Sequence, residues 1–282
     1  MIRREDSQLA KRILKFAILR LRSERFRLKS RRRRFSKVNL GSGRRDWYGW
    51  MLLDEIRYPT VVRFRSSPNC KIPLSNESVK IVYTSHHLEH LDNQSVFRVI
   101  AEASRVLEEG GHLLVKIPDF ELFLSEFRMG RHGILKQCGV DKVVWSWRNH
   151  GVVDLPSTRI AMMFCGYWNH AYGDHFSNRW MVSPAAYHGP PKLAAEVIDS
   201  YLMDLPIRKI SELFNQAAAC DPDFKQFNHQ NAWSREDFVS IVEGTGLRLI
   251  ELSSTKITGQ FSTEIPDLAQ MSDISAYYLF QK

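Results

Sequence analysis

An α/β fold built on a parallel sheet with crossover helices is predicted by three observations on the sequence. Short apolar or β-branched runs recur from residue 38 to 117 and again near the C-terminus. One stretch between two such runs has its apolar residues at helical spacing instead. Glycine and Pro-Asp signals stand where the runs end, so each run is bounded as a strand would be. Strand, glycine turn, strand, strand, helix, Gly-Gly, strand is the rhythm of parallel strands joined by crossovers.

Taken in order, Val38-Asn39-Leu40 reads as a short buried strand running into Gly41-Ser42-Gly43. Trp50-Met51-Leu52-Leu53 reads as a second, ending at Asp54, and Val79 to Thr84 as a third. Val96, Phe97, Val99, Ile100, Ala103, Val106 and Leu107 predict a helix over 96–107, with Gly110-Gly111 as its stop. His112 to Ile117 is the next strand, closed by Pro118-Asp119. Residues 121–228 break the rhythm with a segment rich in aromatics and histidine, interrupted by Gly189-Pro190-Pro191, with helices expected over 193–204 and 207–219. Regularity returns at Ser234 to Gly244, a helix with Ser234 as N-cap and Glu236-Asp237 in its first turn. Leu247 to Leu252 and Ala276 to Phe280 read as closing strands.

Composition narrows the class. With 282 residues, 44% hydrophobic and 25% charged, the chain suits one α/β domain with an insertion and a short arm; disorder and collagen-like architectures are excluded. No apolar run approaches the ~20 residues that a membrane-spanning helix needs. Cys70, Cys138, Cys165 and Cys220 form no C-x-x-C pair, which fits reduced thiols in a cytoplasmic protein, and no signal peptide is recognised.

Charge is concentrated at one end. Residues 1–37 hold fifteen Lys or Arg against three acids, net +12, whereas residues 38–282 hold 25 against 28, net −3. The overall +9 therefore belongs to the arm and says little about the main domain. Within the arm, Ile13, Leu14, Phe16, Ala17, Ile18, Leu19 and Leu21 lie between Lys11, Arg12, Lys15, Arg20 and Arg22, and Arg31 to Arg34 follow. Three readings stand: a helix packed on its own domain before a solvated linker, a basic amphipathic helix on an anionic membrane surface, or an arginine-rich arm on nucleic acid.

Gly41-x-Gly43 after a buried strand lets the chain turn sharply and lets a ligand approach the backbone. Asp54, at the end of the following strand, is placed as carboxylates that accept ribose hydroxyls are. The spacing is shorter than the ~20 residues of the dinucleotide fingerprint, and position 46 is Asp where the third glycine would stand. Both facts point away from NAD and toward another adenosine ligand.

Val38 to Gly43 followed by Gly49-Trp50-Met51-Leu52-Leu53-Asp54 resembles the first two motifs of class I S-adenosylmethionine-dependent methyltransferases, of the type 11-like group. Ile72-Pro73-Leu74-Ser75-Asn76-Glu77-Ser78-Val79, Thr84-Ser85-His86-His87-Leu88-Glu89-His90-Leu91, Glu102 with Arg105-Val106-Leu107 and Gly110-Gly111, and Leu113 to Asp119 resemble its later motifs, in order. Glu264-Ile265-Pro266-Asp267-Leu268 with Ala276 to Phe280 is similar, more loosely, to the tail of bacterial members associated with surface-polysaccharide biosynthesis.

The resemblance implies a Rossmann-like seven-stranded methyltransferase sheet with the last strand antiparallel and S-adenosylmethionine as cofactor; residues 38–282 then read as that domain, with the segment over about 121–228 that breaks the strand rhythm inserted as a helical cap over the acceptor site. The resemblance places Asn39, Gly41, Ser42 and Gly43 at the amino-acid part of the cofactor, Asp54 at its ribose, Asn69 and Cys70 near the adenine, and Ser85 and His86 beside the methyl group. Candidate bases are His86, Asp119 and His150, with His170, Asp174 and His175 behind them. The expected activity is O-methylation of a small molecule or glycan, in the cytoplasm or peripherally at the inner membrane face. Thr84-Ser85-His86 lacks the Asn-Pro-Pro-aromatic segment that grips an exocyclic base nitrogen, so nucleic acid is not the expected partner. Lys80 stands where the family has an aspartate, and Arg44-Arg45 follow the glycine turn beside a cationic sulfonium. These departures keep two alternatives open, a degenerate binding or scaffold protein and an RNA methyltransferase using the basic arm.

His86-His87-Leu88-Glu89-His90 also matches H-x-x-E-H, in which two histidines at i and i+4 on a helix share a zinc ion. That chemistry needs a regular helix and a third ligand from downstream. Here the motif follows a strand, so hydrogen-bonded structural roles for Glu89 and His90 are expected, and no metal.

Overall fold

The computed structural model describes residues 35–56, 58–131, 156–165, 195–218 and 229–282. Its centre is a seven-stranded sheet of β1 (Lys37–Leu40), β2 (Trp50–Asp54), β3 (Val61–Arg63), β4 (Val79–Ser85), β5 (Leu107–Pro118), β6 (Arg248–Glu251) and β7 (Ser275–Gln281). The strand order is β3-β2-β1-β4-β5-β7-β6. The first five strands pair in parallel, and β7 runs antiparallel to both β5 and β6. A Rossmann-like α/β sheet of seven strands with the last one antiparallel is what the resemblance implies.

Both faces are covered, so the central strands are apolar on both sides rather than alternating. On one face Val38, Leu40, Val82, Leu113, Val115, Tyr278 and Phe280 meet α1 (Asn93–Val106) and α6 (Arg235–Glu243). On the other, Trp50, Leu52, Ile81, Tyr83, Leu114 and Tyr277 meet Ile257 and Phe261 of α7 (Ser254–Phe261), then Ile265 and Leu268 beyond it. A third cluster joins α2 (Phe120–Arg128), α3 (Pro156–Cys165), α4 (Ala195–Asp204) and α5 (Ile207–Ala218), with Ala232 and Ile274 from the body.

The connections hold one notable feature and one correction. Crossover helices are absent from the described residues between β1 and β2, between β2 and β3, and between β3 and β4. Nine residues, 41–49, carry β1 into β2. Trp47 of this loop stacks on Tyr83 (5.9 Å) and sits edge-on to Trp50 (5.3 Å), covering sheet that a helix would otherwise cover. Gly110-Gly111, expected to stop a helix, lies inside β5, because α1 already ends at Val106 and its C-cap Leu107 is the first residue of the strand. The β4–β5 register shifts between Val79 and Ile81, so the two glycines occupy a bulge.

The Glu102-x-x-Arg105 motif is a clamp. Buried Glu102 accepts from Ile72 N (2.9 Å) and from Arg105 Nη2 (2.7 Å), while Arg105 also donates to the carbonyls of Leu74 and Ile72. Burial alone would raise the Glu102 pKa; the Arg105 guanidinium and the Ile72 N–H hold it below the usual range. Loop 72–78 is thereby fixed against α1. Ser234 caps α6 as expected, accepting from Asp237 N. The arm up to residue 34 lies outside the described residues.

Candidate functional site

Open parallel sheets gather ligands at the carboxyl ends of their strands. Three neighbouring strands end together here, since Leu40 of β1 is in register with Leu53 of β2 and Thr84 of β4. Gly41 N donates to Leu53 O (2.9 Å) and Ser42 N to the same carbonyl (3.2 Å). Gly43 N donates to Asp54 Oδ2 (2.8 Å), and Ile56 N to Asp54 Oδ1 (3.0 Å). Asp54 thus fixes the glycine turn with one oxygen and its own following loop with the other. Each oxygen keeps a further lone pair for an incoming hydroxyl.

The turn is bare for a steric reason. Gly41 has φ +67° and Gly43 +61°, and a Cβ on Gly41 would stand 2.6 Å from Cβ and Nδ1 of His87. His87 Nε2 lies 2.8 Å from Ser66 Oγ, which orients the ring over the turn. Burial pushes the His87 pKa below its ordinary value, more than the nearby Asp54 charge raises it, so the ring is neutral at physiological pH. Beside these, the Asn39 side chain is buried, and its Nδ2 has no acceptor among the described residues. An orphaned donor, a side-chain-free turn and a carboxylate with spare lone pairs fit a ligand that carries both a carboxylate and vicinal hydroxyls.

The two departures that opened a degenerate reading lie differently from one another. Lys80 is exposed at the start of β4, at the opposite end from Ser85. Arg45 turns onto Asp267, with Nε 2.6 Å from Oδ2 and Nη2 also paired with it, while Nη1 donates to Ser42 O (2.8 Å). Its guanidinium lies 5.6 Å from the centre of the Trp47 ring. Its charge is matched where it stands. Arg44 is exposed.

Of the remaining expected cofactor residues, Ser42 is fully buried, Asn69 is exposed in the loop before Ile72, and the Cys70 thiol is buried in the core with its pKa raised by that burial. Ser85 is the last residue of β4, paired in register with Lys116 of β5.

His86 follows at φ +48°, a left-handed conformation that is strained for a histidine and is held by His86 N donating to Lys116 O (2.8 Å). Its Nε2 lies 2.9 Å from Ser275 Oγ, which itself donates to Met271 O (2.7 Å). Its Nδ1, also buried, lies 3.4 Å from Glu89 Oε1. Both ring nitrogens are turned into protein. Asp119 caps α2, accepting from Leu122 N (3.0 Å), and pairs through Oδ2 with Arg235 (3.0 Å). His150, His170, Asp174 and His175 lie outside the described residues.

The H-x-x-E-H segment is not a regular helix: only Leu88–His90 form a single 3-10 turn. The backbone carbonyls of Glu89 and His90 do hold the neighbouring chain, from Gln230 N to Glu89 O (2.6 Å) and from Gln230 Nε2 to His90 O (2.7 Å). The Glu89 carboxylate is different. It is fully buried, Oε1 has only the long His86 Nδ1 contact at 3.4 Å, and Oε2 has no hydrogen-bond donor among the described residues. Burial would raise its pKa, yet His86, His90 and His229 around it hold it down at about 2. His229, from the chain returning out of the insertion, was not singled out in the sequence. It lies edge-on to His90 at 4.7 Å.

Residues 51–115, from β2 through α1 into β5, match a family model described as a methyltransferase domain. No curated protein sequence matches the chain. Among solved structures, an S-adenosylmethionine-dependent methyltransferase from Mesorhizobium loti is similar at 11% identity over 87% of this chain and 90% of that one, TM-score 0.38. One from Archaeoglobus fulgidus is similar at 11% over 94% of both chains, TM-score 0.34. PKMT2 from Rickettsia typhi, in complex with AdoHcy, is similar at 9% over 88% of this chain and 49% of that one, TM-score 0.35.

Proposed function

We propose that this chain is an S-adenosylmethionine-dependent methyltransferase that methylates an oxygen of a small molecule or glycan. One observation carries the reading: Asp54 at the end of β2 hydrogen-bonds the backbone of the glycine turn at the end of β1, within a segment that matches a methyltransferase domain. Asp54 would take the ribose hydroxyls, Gly41 to Gly43 the amino-acid part with the Asn39 amide nearby, and Ser85 and His86 the methyl end. The loop at Asn69 and Cys70 would flank the adenine. When bound, the cofactor supplies an electrophilic methyl group on sulfur.

The protein's task is then to place the nucleophile in line and exclude water. A neutral His87 over the turn and an Arg45 neutralised by Asp267 leave no uncompensated positive charge from these two residues against a sulfonium. Asp119 has both carboxylate oxygens engaged, and His86 has Nε2 against Ser275 and a buried Nδ1 turned to Glu89, so His86 acts by shaping the end of β4. The acceptor's proton passes to solvent or to a group of the insertion, where His150 is the first candidate. The helices of residues 121–228 cap the acceptor, and the basic arm, residues 1–37, holds the enzyme at an anionic membrane face if the acceptor is lipid-linked.

Calorimetric titration of S-adenosylmethionine and S-adenosylhomocysteine into the full chain tests the reading. Micromolar binding, about −8 kcal/mol, that Asp54→Ala abolishes is expected. Absence of binding by folded wild-type protein would replace the enzyme by the degenerate scaffold. A salt-dependent shift of generic RNA that vanishes on deleting residues 1–37 would favour the RNA enzyme instead.

A further inference from the structure

We infer that Glu89, His90 and His229 form a binding site for one divalent first-row transition ion of the zinc class, at the seam between the sheet's carboxyl edge and the helical insertion. The inference stands on side-chain geometry and is independent of the proposed methyl transfer.

Three observations meet at this point. Glu89, His90 and His229 each present a ligand atom, and these atoms all lie within 4.8 Å of one another. Glu89 and His229 have at most 1% of their surface exposed, so two of the three donors are held in a dry environment. The Glu89 carboxylate is buried and weakly held: Oε1 has only the His86 Nδ1 contact at 3.4 Å, and Oε2 has no hydrogen-bond donor among the described residues. Leaving a carboxylate buried and unbonded costs several kcal/mol, so such groups are paired or coordinate metals. A cation seated among these three residues supplies a partner for Oε2, which His86 does not reach.

The donor set selects the ion. Two imidazoles and one carboxylate suit zinc or iron(II) rather than calcium or magnesium, which take oxygen ligands. Three protein ligands leave a coordination position for water, as in zinc sites that are not purely structural. Bonds of about 2.0–2.2 Å place tetrahedral donors about 3.5 Å apart, so closure on an ion needs a contraction of about 1 Å, within the range of small side-chain rotations.

The backbone around the site is already laced. Gln230 N and Asn231 N donate to Glu89 O (2.6 and 3.1 Å), Gln230 Nε2 to His90 O (2.7 Å), and Asn231 Nδ2 to Leu91 O (2.6 Å). The segment that brings His229 is therefore pinned beside the 3-10 turn that carries Glu89 and His90. Phe120, at the start of α2, lies edge-on to His229 at 6.1 Å and closes another side. This set differs from the H-x-x-E-H arrangement: His86 is not a member, and the downstream ligand comes from the far side of the insertion. The ion would fasten the end of β4 to the point where the chain re-enters the body.

The test uses the full, untagged chain. Metal content would be measured after purification from zinc-supplemented medium, and thermal melts of chelator-stripped protein recorded with and without added zinc. One zinc per chain and a rise in Tm of about 5–10 °C at a hundredfold excess over Kd are expected. Both should be lost in Glu89→Gln, which keeps the side chain's shape, and in His229→Ala. Cobalt(II) in place of zinc should give visible d–d bands with no near-ultraviolet thiolate charge-transfer band. If His229→Ala fails to fold, Glu89→Gln and the cobalt spectrum decide the matter. Wild-type protein that neither retains zinc nor shifts its Tm overturns the inference. So does zinc binding that is equal in wild type and Glu89→Gln, or a cobalt spectrum with thiolate character.

Discussion

Gly41 is small because His87 is near. Gly41→Ala adds a φ penalty of about 1 kcal/mol and a collision with the His87 ring. A loss of more than about 2 kcal/mol is expected in denaturant melts, of which Gly41→Ala/His87→Ala should recover the collision part and leave the backbone part. Equal losses in the single and the double variant would show that the ring does not set the constraint. Lys116 gives a pH signature. It is buried on β5, donating to the carbonyls of Leu268 (3.3 Å) and Gln270 (2.5 Å), and burial lowers its pKa from 10.5 to about 8. Below about pH 8 the folded and unfolded chains are both protonated there. From about 8 to 10.5 the unfolded chain binds more protons, so stability relative to Lys116→Met should rise by about 3 kcal/mol across that window and stay flat beneath it. Paired melts between pH 7 and about pH 10 check the sign. At this scale the glycines and Asp54 were legible, because turn chemistry and strand ends are local. The partners of His87 and Arg45, and the place of His229 beside Glu89, were not, since each contact joins segments distant in the sequence.

Among elements, the longer or well-capped ones could be read. β4, the core of β5, α5 and α6 all appeared in the sequence near their observed places, carried by apolar runs, helical spacing and the Ser234 cap. β3 escaped notice because Val61–Arg63 is three residues long and has no period to display. α7 escaped because Ile257 and Phe261 are its only fully buried residues, too few to mark a stripe. Yet α7 and the segment after it cover the face that crossover helices leave open. Ile257→Ala should therefore cost 2–5 kcal/mol, the range of a core deletion, read as a fall in the denaturation midpoint at unchanged slope. Asp119 belongs to this scale too. As the cap of α2 and partner of Arg235, its replacement by Ala should lower stability by about 1–2 kcal/mol. An unchanged melting curve would return Asp119 to the list of free acids.

For the whole molecule, apolar runs and turns were enough to give an α/β class and every strand except β3, whereas the count of seven and the reversed last strand followed only from the resemblance to class I methyltransferases. The substitution of a C-terminal segment for the early crossover helices was not legible, because nothing local says which part of a chain will cover which face. That substitution also bears on timing. Arg45, two residues past the glycine turn, is tied to Asp267, 222 positions later. Synthesis proceeds from the N-terminus, so β1, β2 and the turn emerge long before the strap that latches them. Loop-closure entropy must be met before so distant a contact contributes. The glycine turn is thus an early-made part with a late-made fastening: nascent chains stalled before residue 267 should hold the β1–β5 segment without the Arg45–Asp267 latch, and the turn should become fixed only once the last fifth of the chain has been added.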